Sequence, residues 1–218
     1  MSNYLNYDNK FFSALGKIVD CCILSVLWIF CSIPIFTIGA SSAAMYYTVH
    51  KVVRNGKGYV SKTFFEAFKE NFKKSTVVWL IQFAVLLVIT GDVAILGNEL
   101  KNGGTFGLLY YFFLVAWFLV WIWIIYACCY EARFVQTKKG ILKNAAILAV
   151  AHLPWSLLIL AIFAGTAVAC MYIPVLIFLA PAVKYILYNA IMEKIFRKYM
   201  TEEEVQREQQ DDMMNDNF

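Results

Sequence analysis

Four long stretches of this chain contain no charged side chain. Asp, Glu, Lys and Arg are absent from residues 21–50, 75–91, 102–130 and 144–183. A helix needs roughly 20 apolar residues to cross a hydrocarbon core of about 30 Å. The two-residue alternation and frequent turns of a transmembrane β-barrel are missing. The pattern therefore predicts an all-α, integral membrane helical bundle, in which each helix satisfies its own backbone hydrogen bonds in lipid.

The lengths of these stretches predict five transmembrane helices. Residues 144–183 would form about 60 Å of helix, which is enough for two crossings joined by a tight turn. The second stretch reaches the required length if it includes Asp92 and continues to Gly97. The predicted spans cover residues 18–38, 76–97, 106–130, 153–170 and 174–195.

Two residues interrupt the first stretch. Pro34 removes a backbone donor and clashes with the preceding helical turn, and Gly39 relaxes the backbone. We therefore expect a helix break here and a second helical piece over residues 40–53. That piece is predicted either to lie at the membrane surface or to pack within the bundle.

A phenylalanine stripe follows the first stretch. Phe64, Phe68 and Phe72 recur every four residues, and the neighbouring Lys and Glu residues lie mostly off that stripe. This spacing predicts an amphipathic helix over residues 61–75 on the cytoplasmic side. Such a helix can lie in the headgroup plane and press on a partner protein, or it can simply anchor the loop.

The composition agrees with a membrane protein. Hydrophobic residues make up 61% of the chain and charged residues 16%, whereas a soluble domain carries about a quarter charged residues. We divide the chain into a transmembrane helical domain, residues 1–198, and an acidic tail, residues 199–218. The tail is predicted to be disordered and cytoplasmic because it is polar and has little to bury.

The distribution of Lys and Arg predicts the orientation of the chain. With five spans, the first and third loops and the segment after the last span lie on one side and hold fourteen basic residues, against three on the other side. The positive-inside rule then places the C-terminus in the cytoplasm and the N-terminus outside the cell. The alternative of a cleaved signal peptide is disfavoured, because the first apolar stretch is too long and contains Pro34.

Charged residues are scarce inside the predicted spans, and Asp92 and Lys184 are two of them. Asp92 lies near the outer end of the second span and Lys184 near the middle of the last. Intramembrane charges are costly, so we expect these two side chains to form a structural ion pair. An ion or proton relay would require more such groups along a path.

No catalytic or cofactor-binding pattern is present in the sequence. His50 and His152 are the only histidines, and neither shows metal-ligand spacing with Cys or carboxylates. Phosphate-binding, dinucleotide-binding, hydrolase and metalloprotease motifs are missing. The sequence therefore predicts no enzyme, no cofactor and no metal. Nucleic acid is not an expected partner, because the basic residues flank predicted spans and suit a lipid bilayer instead.

Several segments resemble the YesL family of bacterial polytopic membrane proteins. In the first half they include the P-x-x-T-I-G turn that ends the first helix and contains Thr37, and in the second half they are short. The resembling segments are residues 28–34, 34–39, 43–47, 58–60, 64–73, 143–145 and 152–154. The resemblance implies a protein of the bacterial cell membrane that accompanies carbohydrate uptake systems. It implies no catalytic residue.

Two functions remain open on this evidence. The first is a non-catalytic accessory or regulatory subunit that packs beside transporter permease subunits through its broken first helix and its amphipathic segment. The second is a small-solute transporter or channel in its own right. The scarcity of intramembrane polar groups and the lack of visible inverted repeats favour the first.

Overall fold

The computed structural model describes residues 10–56, 58–102, 104, 106–202 and 205–206, with side chains from residue 15 onward. These residues form helices and no strand, which confirms the prediction of an all-α fold. Most of the predicted tail, residues 199–218, lies outside the described residues. The helices are α1 Lys10–Ser32, α2 Ile38–Thr48, α3 Val60–Lys101, α4 Leu109–Glu131, α5 Lys138–Ala151, α6 Leu153–Tyr172 and α7 Ala180–Phe196.

Four of these helices are long and apolar enough to cross a membrane. They are α1 from Leu15 to Ser32, α3, α4 and α6. Large apolar side chains on their surfaces are exposed, including Val88 on α3 and Phe112 on α4. A soluble protein seldom exposes so much contiguous apolar surface, so the structure agrees with a helical membrane protein.

The fifth predicted span, residues 174–195, is not one α-helix. A short 3₁₀ segment, Pro174–Phe178, is followed by α7, which begins at Ala180 and has 17 residues. Pro174 and Pro181 explain the division, because each fixes its backbone angle and lacks the N–H that a continuous helix would use. The residues predicted as the fifth span, 174–195, are therefore divided into two helical segments.

Helix α3 unites two elements that the sequence separated. The predicted amphipathic helix, residues 61–75, and the predicted span, residues 76–97, are one helix of 42 residues, about 63 Å long at about 1.5 Å per residue. No Gly or Pro occurs between residues 61 and 90, so nothing breaks the helix there. The phenylalanine stripe is consequently a direct extension of the span.

The first helix break lies where Pro34 predicts it. Helix α1 ends at Ser32, six residues before the predicted end at residue 38, and a 3₁₀ turn, Ile35–Thr37, leads into α2. Helix α2 and the π-helical turn that continues it, Val49–Arg54, are buried over most of their length. Of the two alternatives for residues 40–53, the structure therefore has the one packed within the bundle.

Side-chain contacts define how α3, α4 and α6 are arranged. Lys74 contacts Glu131 at one end of the α3–α4 pair, and the Trp117 indole donates to the Thr90 hydroxyl further along. These contacts make α3 and α4 antiparallel. Helix α6 runs antiparallel to α4, because Ser156 bonds to the Tyr126 hydroxyl and Phe163, later on α6, packs against Trp121, earlier on α4. The basic segments before and after the α3–α4 pair therefore lie at the same end of the bundle.

Helix α5 was not predicted from the sequence. It packs against α4, where the Trp123 indole donates to the Leu142 carbonyl at 2.9 Å and the Asn144 amide donates to the Tyr130 hydroxyl at 3.0 Å. The Thr137 hydroxyl caps its N-terminus by accepting from the Gly140 amide. The helix could not be recognised from the sequence, because the basic residues of its first turn are typical of a loop.

Candidate functional site

The turn after α1 is held by specific hydrogen bonds. The buried Thr37 hydroxyl lies 2.6 Å from the Cys31 carbonyl and 2.7 Å from the Pro34 carbonyl, between which it shares its proton. The Trp79 indole of α3 donates to the Ile35 carbonyl at 2.7 Å. Carbonyls at a helix C-terminus have no partner within the helix. Thr37 and Trp79 therefore fix a turn that Pro34 only begins.

Replacing Thr37 with Val is expected to loosen this turn. Valine keeps the branched shape but removes the hydroxyl donor from the Cys31 carbonyl, while the Pro34 carbonyl still accepts from the backbone amide of residue 37. The expected cost is about 1–2 kcal/mol in the free energy of unfolding. Unfolding of the purified protein in detergent micelles measures the loss. Thr37→Ser, which keeps the hydroxyl, is the control and should lose less than half as much. Equal losses in the two variants would contradict the role of the hydroxyl.

The phenylalanine stripe points into the molecule. Phe64 is fully buried in the bundle core, and its ring stacks on that of Phe68 with centroids 6.2 Å apart. Phe68 in turn contacts Phe72 edge to face. The adjacent side of α3 exposes Phe65 together with Lys69. A partner protein would therefore meet that adjacent side rather than the stripe.

Asp92 and Lys184 do not pair. The Lys184 ammonium lies over the rings of Trp28, Phe163 and Tyr185, with its nitrogen 5.1–5.5 Å from their centroids. Helices α3 and α7, which carry the two residues, do not pack against each other, and no ion pair between Asp92 and Lys184 is found in the described part of the chain. The attraction between a cation and aromatic faces takes the place of the expected carboxylate.

A double-mutant cycle checks this arrangement. Because the two side chains share no contact, Asp92→Asn and Lys184→Met should change the free energy of unfolding additively, within about 0.5 kcal/mol. By contrast, Lys184→Met and Trp28→Leu should couple, since the indole faces the ammonium. A coupling of more than about 1 kcal/mol between the Asp92 and Lys184 substitutions would instead show that the two side chains interact, as the sequence predicted.

The structure contains a buried polar cluster that sequence reasoning missed. At its centre the Glu193 carboxylate of α7 forms an ion pair with the Arg133 guanidinium. Nη2 donates to Oε2 at 3.1 Å, and Nε lies 2.8 Å from Oε1. The fully buried Tyr46 hydroxyl donates to the same Oε1 at 3.2 Å. Only 4% of the Glu193 side chain and 8% of the Arg133 side chain are exposed. Buried charges of this kind are tolerated because they are paired and hydrogen-bonded.

His50 and Asn189 extend the cluster to the π-helical turn. His50 Nδ1 lies 3.2 Å from the Asn189 side-chain nitrogen and 3.5 Å from Glu193 Oε1. Arg54 donates to the Asn189 side-chain oxygen at 2.7 Å. The cluster therefore joins α2, the π-helical turn, the segment after α4, and α7. We call these six residues the Glu193 cluster: Tyr46, His50, Arg54, Arg133, Asn189 and Glu193.

A weak signal for the Glu193 cluster was present in the sequence. Asn189 and Glu193 stand four residues apart, as do His50 and Arg54, so each pair lies on one face of its helix. Polar pairs at this spacing beside apolar runs indicate a shared polar contact. The sequence cannot show that the two faces meet, because 139 positions separate His50 from Asn189.

The Glu193 cluster is a buried network of ion-paired and hydrogen-bonded groups. It contains one carboxylate and one imidazole, both more than 90% buried. No group of three or more His, Cys, Asp or Glu side chains that could hold a metal ion is found among the residues described. Its members instead link four elements at one end of the bundle.

The fold is that of a polytopic helical membrane protein. The Glu193 cluster joins its helices through buried charged groups at one end of the bundle. Residues 21–93 match a family model described as a protein of unknown function, DUF624. The match covers the second half of α1, α2, the π-helical turn and most of α3, and it contains Pro34, Thr37 and Gly39. No curated protein and no solved structure matches the chain.

Proposed function

We propose that this protein is a non-catalytic accessory or regulatory component of a carbohydrate uptake system in the bacterial cell membrane, with its C-terminus in the cytoplasm. The link to carbohydrate uptake comes from the resemblance of residues 28–39 and 64–73 to the YesL family. Both segments lie within the matched residues 21–93. The partner would be a permease subunit of the transporter.

The turn after α1 is the observation that carries this proposal. Its backbone is fixed by Thr37 and Trp79, while three large apolar side chains point outward. Ile33 is 69% exposed, Ile35 58% and Phe36 48%. A rigid apolar projection loses little conformational entropy when it packs against another helix, which suits a docking element.

The pairing of internal charges also supports an accessory role. Glu193 is paired with Arg133, and Glu131 with Lys74, at the end of the bundle that carries the basic segments. A solute path would instead require polar groups distributed along the depth of the membrane. These ion pairs hold helices together and are not arranged along such a path.

One observation favours the alternative, a small-solute transporter or channel. Gln82 is fully buried between α3 and α4, where its side-chain nitrogen donates to the Trp123 carbonyl. Its side-chain oxygen has no hydrogen-bond partner among the described residues. A buried acceptor of this kind can bind water or the hydroxyl of a solute.

Photo-crosslinking combined with purification separates the two functions. A photoreactive amino acid at Ile35 should crosslink to a permease subunit that is also recovered stoichiometrically in mild detergent. The same amino acid at Val115, which is 59% exposed on α4, is the matched control and should crosslink mainly to lipid. Substrate flux by the pure protein in liposomes, with no crosslink at Ile35, would overturn the accessory role.

A further inference from the structure

The orientation of the Asn189 amide determines the protonation state of His50. Arg54 can only donate hydrogen bonds, and it contacts the Asn189 oxygen at 2.7 Å. The nitrogen of the same amide therefore faces His50 Nδ1, at 3.2 Å, as a donor. Nδ1 must then accept, so His50 is neutral and carries its proton on Nε2. The Asn189 amide cannot turn over without pointing its NH₂ group at Arg54.

The same Nδ1 atom lies beside a carboxylate. Glu193 Oε1 is 3.5 Å from it, and no carboxylate of the described residues other than Glu193 forms an ion pair with His50. Other charged and titratable groups around this site, among the described residues, are Arg133 after α4, Cys129 on α4, Tyr46 on α2 and Arg54 on the π-helical turn. A proton on Nδ1 would turn this atom from an acceptor into a donor, which repels the Asn189 NH₂ group and attracts Glu193.

We propose that His50 is a proton-operated switch in the Glu193 cluster. In the neutral state His50 bonds to Asn189, and through Asn189 to Arg54. In the protonated state His50 bonds to Glu193 and releases Asn189. Protonation thereby changes the connection between the π-helical turn and α7. Histidine is the side chain suited to such a change between about pH 5 and 8, and π-helical turns often occur at functional positions.

The two states differ in the bonds of the π-helical turn. In the neutral state Asn189 ties both His50 and Arg54 of this turn to α7. After protonation, Glu193 must be shared between Arg133 and His50, and the Asn189 NH₂ group loses its acceptor. The turn keeps two contacts with α7, because Arg54 still donates to the Asn189 oxygen. The Asn189 NH₂ group, however, is then buried without an acceptor, which is unfavourable, so the backbone amides of the turn should open more readily. This consequence is independent of the partner or solute that the protein serves.

Histidine nitrogen NMR of the full-length protein in lipid nanodiscs tests the switch. His50 should show the Nε2–H neutral tautomer at high pH and gain a proton at Nδ1 on acidification. Asn189→Asp places a carboxylate oxygen at Nδ1, so its titration midpoint should rise by about one pH unit or more. Glu193→Gln should lower the midpoint. His152, the other histidine of the chain, is the internal control and should titrate identically in all variants.

The conformational consequence has its own measurement. Hydrogen exchange of residues 46–54 should increase from pH 8 to pH 5, after correction for the intrinsic rate, and this increase should be lost in His50→Gln. An Nδ1–H neutral tautomer would overturn the proposal, as would a midpoint that Asn189→Asp leaves unchanged or an equal exchange increase in His50→Gln. If Glu193→Gln does not fold, Asn189→Asp and His50→Gln decide the outcome.

Discussion

Replacing Glu193 with Met is expected to destabilise the protein more than any other single change at the Glu193 cluster. Methionine fills a similar volume, but it leaves the Arg133 guanidinium buried without its carboxylate, and Tyr46 without its acceptor. Breaking a buried ion pair by removing one partner costs about 3–5 kcal/mol. The free energy of unfolding, measured by denaturant titration in micelles, should fall by this amount.

The double variant Glu193→Met with Arg133→Met identifies the cause. An apolar pair of similar volume is often as stable as the ion pair it replaces, so the second substitution should restore much of the loss. Glu66→Gln, at an exposed position of α3, is the surface control and should change stability by less than about 0.5 kcal/mol. The free energy of unfolding of the double variant could instead fall by the sum of the two single decreases. That result would show that Glu193 does not stabilise the protein through its ion pair with Arg133.

The apolar parts of the fold could be predicted from the sequence because the solvent imposes a strong pattern. Long stretches without charge located α1, α3, α4 and α6, since lipid excludes unpaired charges and demands helices. Helix interruptions were harder to predict. Pro34 revealed the first break because it lies inside an apolar run, whereas Pro174 and Pro181 were read as belonging to one span. The effect of a proline depends on whether neighbouring residues can satisfy the freed backbone groups.

The polar contacts could not be predicted, because they depend on which helices are neighbours. Asp92 and Lys184 were paired on the assumption that two intramembrane charges seek each other, yet α3 and α7 do not pack together. The partners of Lys184 are aromatic rings from α1, α6 and α7. Arg133 was counted only among the basic residues that set the orientation, and Glu193, near the end of the predicted span 174–195, was not singled out. Their burial arises because α7 crosses the end of α4, which no local pattern encodes.

Replacing Gly39 with Ala is expected to separate α2 from α3. A Cβ atom at residue 39 would lie 2.5 Å from Trp79 Cβ and 3.0 Å from the Ser75 carbonyl oxygen. Both atoms belong to the α3 backbone or lie next to it, so rotation of a side chain cannot relieve the contact. Overpacking of this kind costs about 1–3 kcal/mol in the free energy of unfolding. The same denaturant titration in micelles measures the loss.

Gly91→Ala in the middle of α3 is the matched control, because a Cβ there would meet nothing within 4 Å. Alanine favours a helix over glycine by about 1 kcal/mol, so this variant should be as stable as the native protein or more stable. Trp79→Ala should not rescue Gly39→Ala, because alanine keeps the Cβ atom that causes the clash. A rescue would mean that the indole ring, rather than the distance between the two helix backbones, makes Gly39 necessary. Without a rescue, the required feature is the close approach of α2 to α3, which also brings Trp79 within reach of the Ile35 carbonyl and fixes the exposed turn.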